Sequence, residues 1–491
     1  MYSRLIKRSF QASRLSPSFN PLSVSSSTLT KRNLSSTPKI NGKIQDITRH
    51  PGVWDRSKDP RWDDTDMERY ADQADVLIVG GGPAGLATAI KLKQLADEAG
   101  QDIRICVFEK AAEFGRHTLS GACLEPRALF ELWSKEELEE LDCPAIKHPV
   151  KDDKFLLMAE ERSVEIFQAT PNFVMERLPM NNHGNYIVRL GHVVAWMAEQ
   201  AENMGIELFP GFAATETLYH EDGSIKGIAT NDVGIGKTGE PKDSFARGME
   251  FHGKITVFGE GCRGSESQKL IEKFDLQGDC PQHYGIGIKE LWKVPEENHK
   301  PGTIIHTAGW PLKQNEYGGS FMYHIEEDGQ KLISLGFVIG LDYKNPHLNT
   351  FETFQTWKQH PDIRKYLEGG ECLQYGARAL NEGGYQAMIK SHVPGGLIIG
   401  CSAGLLNVPK IKGTHLAMKS GIVAAETIFN AFQDEERMKE YWSDPEEEEE
   451  ENYEEEDAEN DEAVEEEDEE EEDDEEEEEV VWVDKSSSSQ S

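Results

Sequence analysis

The run Ala74-Asp75-Val76-Leu77-Ile78-Val79-Gly80-Gly81-Gly82-Pro83-Ala84-Gly85, with Val107-Phe108-Glu109-Lys110 downstream, decides the fold. An apolar strand enters a glycine-rich turn and an alanine- and leucine-rich helix, and an acid closes the next apolar strand. A βαβ dinucleotide site requires that order. Gly80 permits the tight turn, Gly82 lets backbone approach a pyrophosphate, and Gly85 lets helix and strand pack closely. The helix N-terminus then offers N–H groups and its positive dipole end to phosphate. Pro83 suits the first helical turn, where its missing N–H is no loss. With 44 glycines in the chain a bare G-x-G-x-x-G is weak. Here strand, helix and acid all fall in place, and Glu109, 29 residues after Gly80, is expected on the ribose hydroxyls.

Three later segments extend the site. Tyr186 to Leu190 reads as a strand with a helix behind it, in which Arg189 is either a cofactor contact or a surface arginine. Lys254-Ile255-Thr256-Val257-Phe258 is a strand ending in the acid–glycine pair Glu260-Gly261, expected to return to the first sheet near the pyrophosphate. Gly396 to Ile399 is a further buried strand meeting small residues at Gly400 and Gly404, then Gly413-Thr414 and a helix through Phe429. A helix N-terminus there would stabilise negative charge developing on a flavin. Dinucleotide pieces at both ends with a module between them is the arrangement of FAD enzymes. No second G-x-G-x-x-G marks a nicotinamide domain.

The ends of the chain are of opposite character. Residues 1–45 contain no Asp or Glu but eight Lys or Arg and many serines, the composition of a mitochondrial transit peptide, with Arg32-Asn33-Leu34-Ser35 as a processing site. Residues 444–491 carry 30 Asp or Glu and one Lys, so the tail holds −29 of the chain's net −39. Such a run repels itself and is expected to be disordered, whether as a solubilising extension or a binding arm. No stretch reaches the ~20 apolar residues that span a bilayer. The seven cysteines (Cys106, Cys123, Cys143, Cys262, Cys280, Cys372, Cys401) form no C-x-x-C, and no metal site is expected.

Longer stretches carry a family resemblance. Gly115-Arg116-His117-Thr118-Leu119-Ser120-Gly121-Ala122-Cys123-Leu124, Pro179 to Tyr186, Ala229 to Gly234, Tyr317-Gly318-Gly319-Ser320-Phe321, Tyr375 to Gly384 and Asn407 to His415 closely resemble electron transfer flavoprotein–ubiquinone oxidoreductases of mitochondria. The resemblance covers about 74–430. It implies an α/β fold: a Rossmann-type FAD domain like that of glutathione reductase, over 74–270 and 385–440, with an inserted α+β quinone-binding domain over 271–384. Residues 1–34 would be the transit peptide and 35–73 an N-terminal extension.

The same resemblance implies FAD as cofactor, reduced electron transfer flavoprotein as donor, ubiquinone as acceptor, and a monotopic seat on the matrix side of the mitochondrial inner membrane. No nucleic acid is expected among the partners. Gly80, Gly82, Pro83, Ala84, Gly85, Glu109, Lys110, Thr118, Ser120, Gly121, Arg189, Glu260, Gly261, Gly400, Gly404, Gly413 and Thr414 are the candidate FAD contacts. Gly318 and Gly319 match the pair that meets the quinone ring, a position suited to residues without Cβ; otherwise they read as a plain hairpin turn. Phe114 to Lys135, with Leu124, Leu129, Phe130, Leu132 and Trp133, matches a membrane-dipping segment, although composition alone suits an ordinary core helix. Family members continue into a domain whose four cysteines ligate a [4Fe–4S] cluster. Here the acidic run stands in that place, and the seven cysteines offer no substitute. Two other readings remain open on the same fold: a monooxygenase or geranylgeranyl-type reductase, and a flavoprotein without catalysis.

Overall fold

A computed structural model describes residues 59–118, 122–166, 178–278 and 280–434. The transit-peptide and tail readings, and the contacts expected of Ser120 and Gly121, lie outside the described residues. In chain order the first elements are β1 (Ala71–Val79), α1 (Pro83–Ala99), β2 (Ile105–Glu109), β3 (Ala122–Leu124), α2 (Lys135–Glu140), β4 (Asp152–Met158), β5 (Ser163–Glu165), β6 (Tyr186–Val188) and α3 (Leu190–Asn203). Then come β7 (Glu207–Pro210), β8 (Ala214–Tyr219), β9 (Ile225–Thr230), β10 (Val233–Ile235), β11 (Pro241–Ala246), β12 (Glu250–Phe258) and α4 (Ser265–Lys273). The last are β13 (Tyr284–Lys293), β14 (Thr303–Gly309), β15 (Gly318–Glu327), β16 (Gln330–Gly340), α5 (Thr350–Lys358), α6 (Pro361–Leu367), β17 (Glu371–Asn381), β18 (His392–Val393), β19 (Gly396–Ile398) and α7 (Thr414–Phe432). Two units are distinguished. The smaller joins residues 59–65 to 235–242, and in it Trp62 Nε1 donates to the Gly239 carbonyl at 3.0 Å. The larger carries both main sheets.

The first sheet runs β18-β19-β12-β1-β2-β7, with β9 and β8 continuing from β12. Its centre is parallel: Val76 to Val79 pair with Ile105 to Phe108 on one side and Ile255 to Phe258 on the other. Val76, Leu77, Ile78 and Val79 are all buried, as a strand covered on both faces must be, which is why the sequence shows an unbroken apolar run there. Helices α1, α3 and α7 cover one face around Ile78, Ile90, Met197 and Ile422. Phe108, Phe251, Phe258 and Leu270 fill the other. Gly100, at φ 69°, closes α1 in the left-handed conformation.

The second sheet runs β17-β13-β16-β15-β14-β4-β5, antiparallel except where β14 meets β4. Thus β4 and β5 belong to this sheet although they fall within the 74–270 span read as the FAD domain. One face rests on α5 and α6 through Phe337, Phe354, Trp357 and Ile363. The other meets the small β3–β6 pair through Cys123, Ile187, Ile304 and Tyr323. Strand β17 lies at the edge of the order and is exposed along most of its length.

Residues 124–133 correct the anchor reading. Leu124, Leu129, Leu132 and Trp133 are buried in the core formed with α1 and α3, and Trp133 meets Trp196 edge-on at 5.0 Å. Of the five apolar side chains only Phe130, at 39 % exposure, faces out. Their apolar character serves packing between elements, which composition cannot tell from membrane contact. No described helix is long and apolar enough to cross a membrane.

Behind the second sheet, Lys358 Nζ and Glu290 Oε2 form a buried ion pair at 2.6 Å, and Trp292 Nε1 also donates to that carboxylate oxygen at 2.7 Å. Removing one partner leaves a charge without compensation, at a cost of about 3–5 kcal/mol. Lys358→Met should therefore lower the denaturant midpoint substantially, while the pair Lys358→Met with Glu290→Leu should recover most of the loss. Equal destabilisation of both variants would show that packing, not the unpaired carboxylate, sets the cost.

Candidate functional site

Three turns converge at the C-terminal edge of the parallel strands, where open α/β sheets bind ligands. The first, Gly80 to Gly85, joins β1 to α1. Gly80 has φ 107°, and a Cβ there would lie 2.4 Å from the Gly259 carbonyl oxygen. A Cβ on Gly85 would lie 2.1 Å from the Gly80 oxygen. Both are glycine because backbones meet. Gly82 differs: it is extended backbone open to any residue, and a Cβ there would meet nothing within 4 Å. Nothing in the chain requires glycine at this position. A phosphate group lying on the N-terminus of α1, which no side chain caps, would require it. The residues present therefore fit a dinucleotide. Pro83 opens the helix, and Ala84 is buried beside Gly400.

Glu109 ends β2 with its carboxylate aimed at this turn. Its Oε2 accepts the Gly81 N–H at 3.1 Å and its Oε1 accepts the Ala111 N–H at 2.8 Å. The hydrogen bonds orient the group that the sequence reading expects on a ribose. Lys110 is exposed next to it.

The second turn follows β12. Glu260, read as a cofactor contact, spends its side chain on α4: Oε2 accepts the N–H and the hydroxyl of Ser267, each at 2.6 Å. Gly261, at φ 89°, offers backbone instead, and its carbonyl accepts the Ser402 hydroxyl at 2.9 Å. The third turn follows β19. Gly400 (φ 62°) donates its N–H to Ser420 Oγ at 2.9 Å, Gly404 has φ 84°, and Gly413-Thr414 open α7. These turns bring together residues separated by more than 300 positions.

Thr118 closes a turn on Gly115, with its N–H 3.0 Å from that carbonyl. Arg189 sits at the N-terminus of α3 and reaches the second sheet, where Nη1 meets Glu327 Oε2 at 2.7 Å. It is not gathered with the three glycine turns. Burial first, and the charge of Arg189, push the Lys289 ammonium down to about 8. Arg378, on β17, is a residue that sequence reading did not single out. Its Nη1 donates to the His117 carbonyl at 3.2 Å, and its Nη2 lies 2.8 Å from where a Gly261 Cβ would stand. The only signal was its place inside the Tyr375–Gly384 stretch.

Gly318 and Gly319 are not a hairpin turn. They begin β15, paired with Ile339 and Val338. A Cβ on Gly318 would lie 2.2 Å from the Val338 oxygen, and one on Gly319 would lie 2.9 Å from the Thr307 oxygen. Sheet packing thus accounts for Gly318 by itself and leaves Gly319 the less constrained.

A cleft of about 920 Å³ opens beside the third turn, lined by Glu125, Arg127, Phe130, Leu178, Asn185 and Lys410, among others. Lys410 Nζ and Glu125 Oε2 are 2.7 Å apart in its wall. Burial raises the Glu125 carboxyl, but the hydrogen bond from Lys410 and the neighbouring cations hold it below its usual value overall.

Two parallel-strand turns at the glycine loop, a late strand–helix pair and a second antiparallel sheet define a flavoprotein-type oxidoreductase fold. The fold is shared with a geranylgeranyl bacteriochlorophyll reductase-like protein of Thermoplasma acidophilum (TM-score 0.54, 16 % identity, 76 % of this chain and 82 % of that one). It is also shared with a flavin-dependent brominase (TM-score 0.51, 18 % identity, 73 % and 79 %). Residues 78–127 match the NAD(P)-binding Rossmann-like domain, and residues 284–380 match the ubiquinone-binding region of ETF-QO. The mitochondrial electron transfer flavoprotein-ubiquinone oxidoreductase of Bos taurus is 57 % identical over 390 residues, 79 % of this chain and 62 % of its own length. That of Caenorhabditis elegans is 55 % identical over 399 residues, 81 % and 64 %. Over most of its own length the chain is similar to these electron transfer flavoprotein–ubiquinone oxidoreductases, and it spans less than two thirds of their length.

The glycines separate fold from ligand. Gly82→Val should still fold, losing about 1 kcal/mol for a weaker helix cap, yet purify without flavin. Gly85→Ala should lose about 1–3 kcal/mol from overpacking. Flavin absorbance and melting temperature of both variants check this. Full flavin content in the Gly82 variant would remove the loop from the cofactor site.

Proposed function

We propose that this chain is an FAD-dependent oxidoreductase that accepts electrons from reduced electron transfer flavoprotein and passes them to ubiquinone. The match of residues 284–380 to a ubiquinone-binding region, on a sheet set beside a dinucleotide cradle, carries the reading. FAD, when bound, supplies the two-electron chemistry. The chain's own residues bind and orient: Gly82 and the first turn of α1 take the pyrophosphate, Glu109 takes the ribose, and the Gly261 and Gly400–Gly404 turns take the middle of the molecule. Gly413 and Thr414 present the helix end where negative charge develops.

The leader composition and the names of the relatives support a mitochondrial location. Ubiquinone is a lipid, so in this reading the chain meets it at a membrane; the matrix face of the inner membrane and a monotopic seat are what the family resemblance implies. The buried residues of 124–133 do not provide that attachment.

The purified chain should show flavin bands without stoichiometric iron or acid-labile sulfide, and reduced electron transfer flavoprotein should bleach those bands. Short-chain ubiquinone should restore them. Gly319→Ala should slow that last step with FAD content unchanged; it is a cleaner probe than any change at Gly318, which would disrupt β15. Oxygen uptake coupled to NADPH, with no response to the donor flavoprotein, would replace this reading with a monooxygenase.

A further inference from the structure

Alternate residues of a strand share one face of its sheet. On β15, Tyr323 and Ile325 lie on the face covered by the β3–β6 pair through Cys123 and Ile187. Towards the start of the strand that face becomes accessible. Phe321 and Gly319 are half-buried, and Tyr317, just before the strand, is 55 % exposed.

Two buried glycines of β16 make room for the two rings. A Cβ on Gly336 would lie 2.4 Å from Phe321 Cζ, and one on Gly340 would lie 3.2 Å from Tyr317 Cδ1. Each ring therefore lies over a glycine of the neighbouring strand, one on either side of Val338, the residue opposite Gly319. Phe321 is also braced from behind. It stacks on Tyr323 with centroids 4.9 Å apart, and the Tyr323 hydroxyl is hydrogen-bonded to His306 Nε2 at 3.0 Å. Between the rings the floor consists of Gly319, Val338 and, on the next strand, Gly287, all partly open. The same row ends at Arg378, which bonds to the His117 carbonyl and stands beside the Gly261 turn, so the floor runs towards the dinucleotide cradle. Tyr317 and Phe321 are four positions apart, which separates their Cα atoms by roughly 14 Å. Rings at both ends and no side chain on the glycine between them make a slot for a flat apolar group.

We propose that Tyr317 and Phe321 are a pair of specificity-determining residues that clamp the quinone head group over Gly319. The inference rests on the quinone reading above and names two side chains for a site so far described only by its glycines. Aromatic rings offer flat faces and edges against which another planar ring packs with a defined geometry, beyond the apolar area they cover. Phe321 is the fixed wall, held by Tyr323 and by the space over Gly336. Tyr317 is the accessible wall, at the end of the slot open to solvent.

The test is equilibrium binding of a short-chain ubiquinone to the oxidised, FAD-loaded full chain by isothermal titration, with flavin content and melting temperature measured alongside. Tyr317→Leu and Phe321→Leu keep apolar bulk but remove the flat face, and each should weaken binding about two- to tenfold. Tyr317→Phe should bind as the wild type does, because the ring and not the hydroxyl makes the contact. In steady state the Leu variants should raise KM for the quinone more than they lower kcat. Should Phe321→Leu lose flavin, Tyr317→Leu, at the exposed wall, decides alone. A wild-type dissociation constant in Tyr317→Leu, or equal losses in Tyr317→Leu and Tyr317→Phe, would overturn the clamp; weakened binding in Gly319→Ala would then leave the quinone reading standing. A wild-type chain that holds FAD but binds no ubiquinone would overturn both.

Discussion

Backbone-to-backbone contact around the first turn of α1 is the constraint on which the rest of the structure depends. Gly80 lies against Gly259, Gly85 against Gly80, and Gly421 of α7 against the Ala84 carbonyl, where a Cβ would stand 2.3 Å away. These contacts draw β12 and α7 onto the β1–α1 unit and set three turns side by side. Any methyl group at these positions would push a helix or strand outwards. The spacing between turns, and so the shape of the cradle, would change with it.

The same closeness determines how charge is arranged. Because α7 is drawn in to α1, its N-terminal turn lies beside the segment after β3. Glu125 then meets Lys410 and His415, residues about 285 positions later in the chain. Ion pairs in the second sheet, Lys358 with Glu290 and Arg189 with Glu327, lie apart from this group. Each of these ion pairs is closed locally.

The first sheet was legible because its evidence is local. An apolar run, a glycine turn and a closing acid are separated by 29 residues, and each has one physical reason. The later strands after Lys254 and Gly396 were readable for the same cause. What could not be read was whatever depends on distant partners. Glu260 looked like a ligand contact because an acid beside glycine suits one, and only the position of Ser267 shows it capping α4. Leu124, Leu129, Leu132 and Trp133 are apolar in either environment, so pattern could not distinguish core from membrane. The pairing of β4 with β14 joins residues 151 positions apart and leaves no local trace. Arg378 and His415 sat inside recognisable stretches, but their contacts appear only when β17 and α7 are placed against residues 117 and 125.

Strand β17 carries a different implication. It has eleven residues at the edge of the second sheet, with Leu373 and Tyr375 exposed and a register shift opposite Leu291 and Trp292. Among the described residues no strand pairs with its outer side. A long, open edge of this kind is a template on which another extended chain can add itself. The bulge twists that edge and Glu371 and Arg378 place charge along it, both of which discourage such growth. Strand addition to this long edge of the second sheet would therefore be opposed by features of β17 itself, its bulge and its charges.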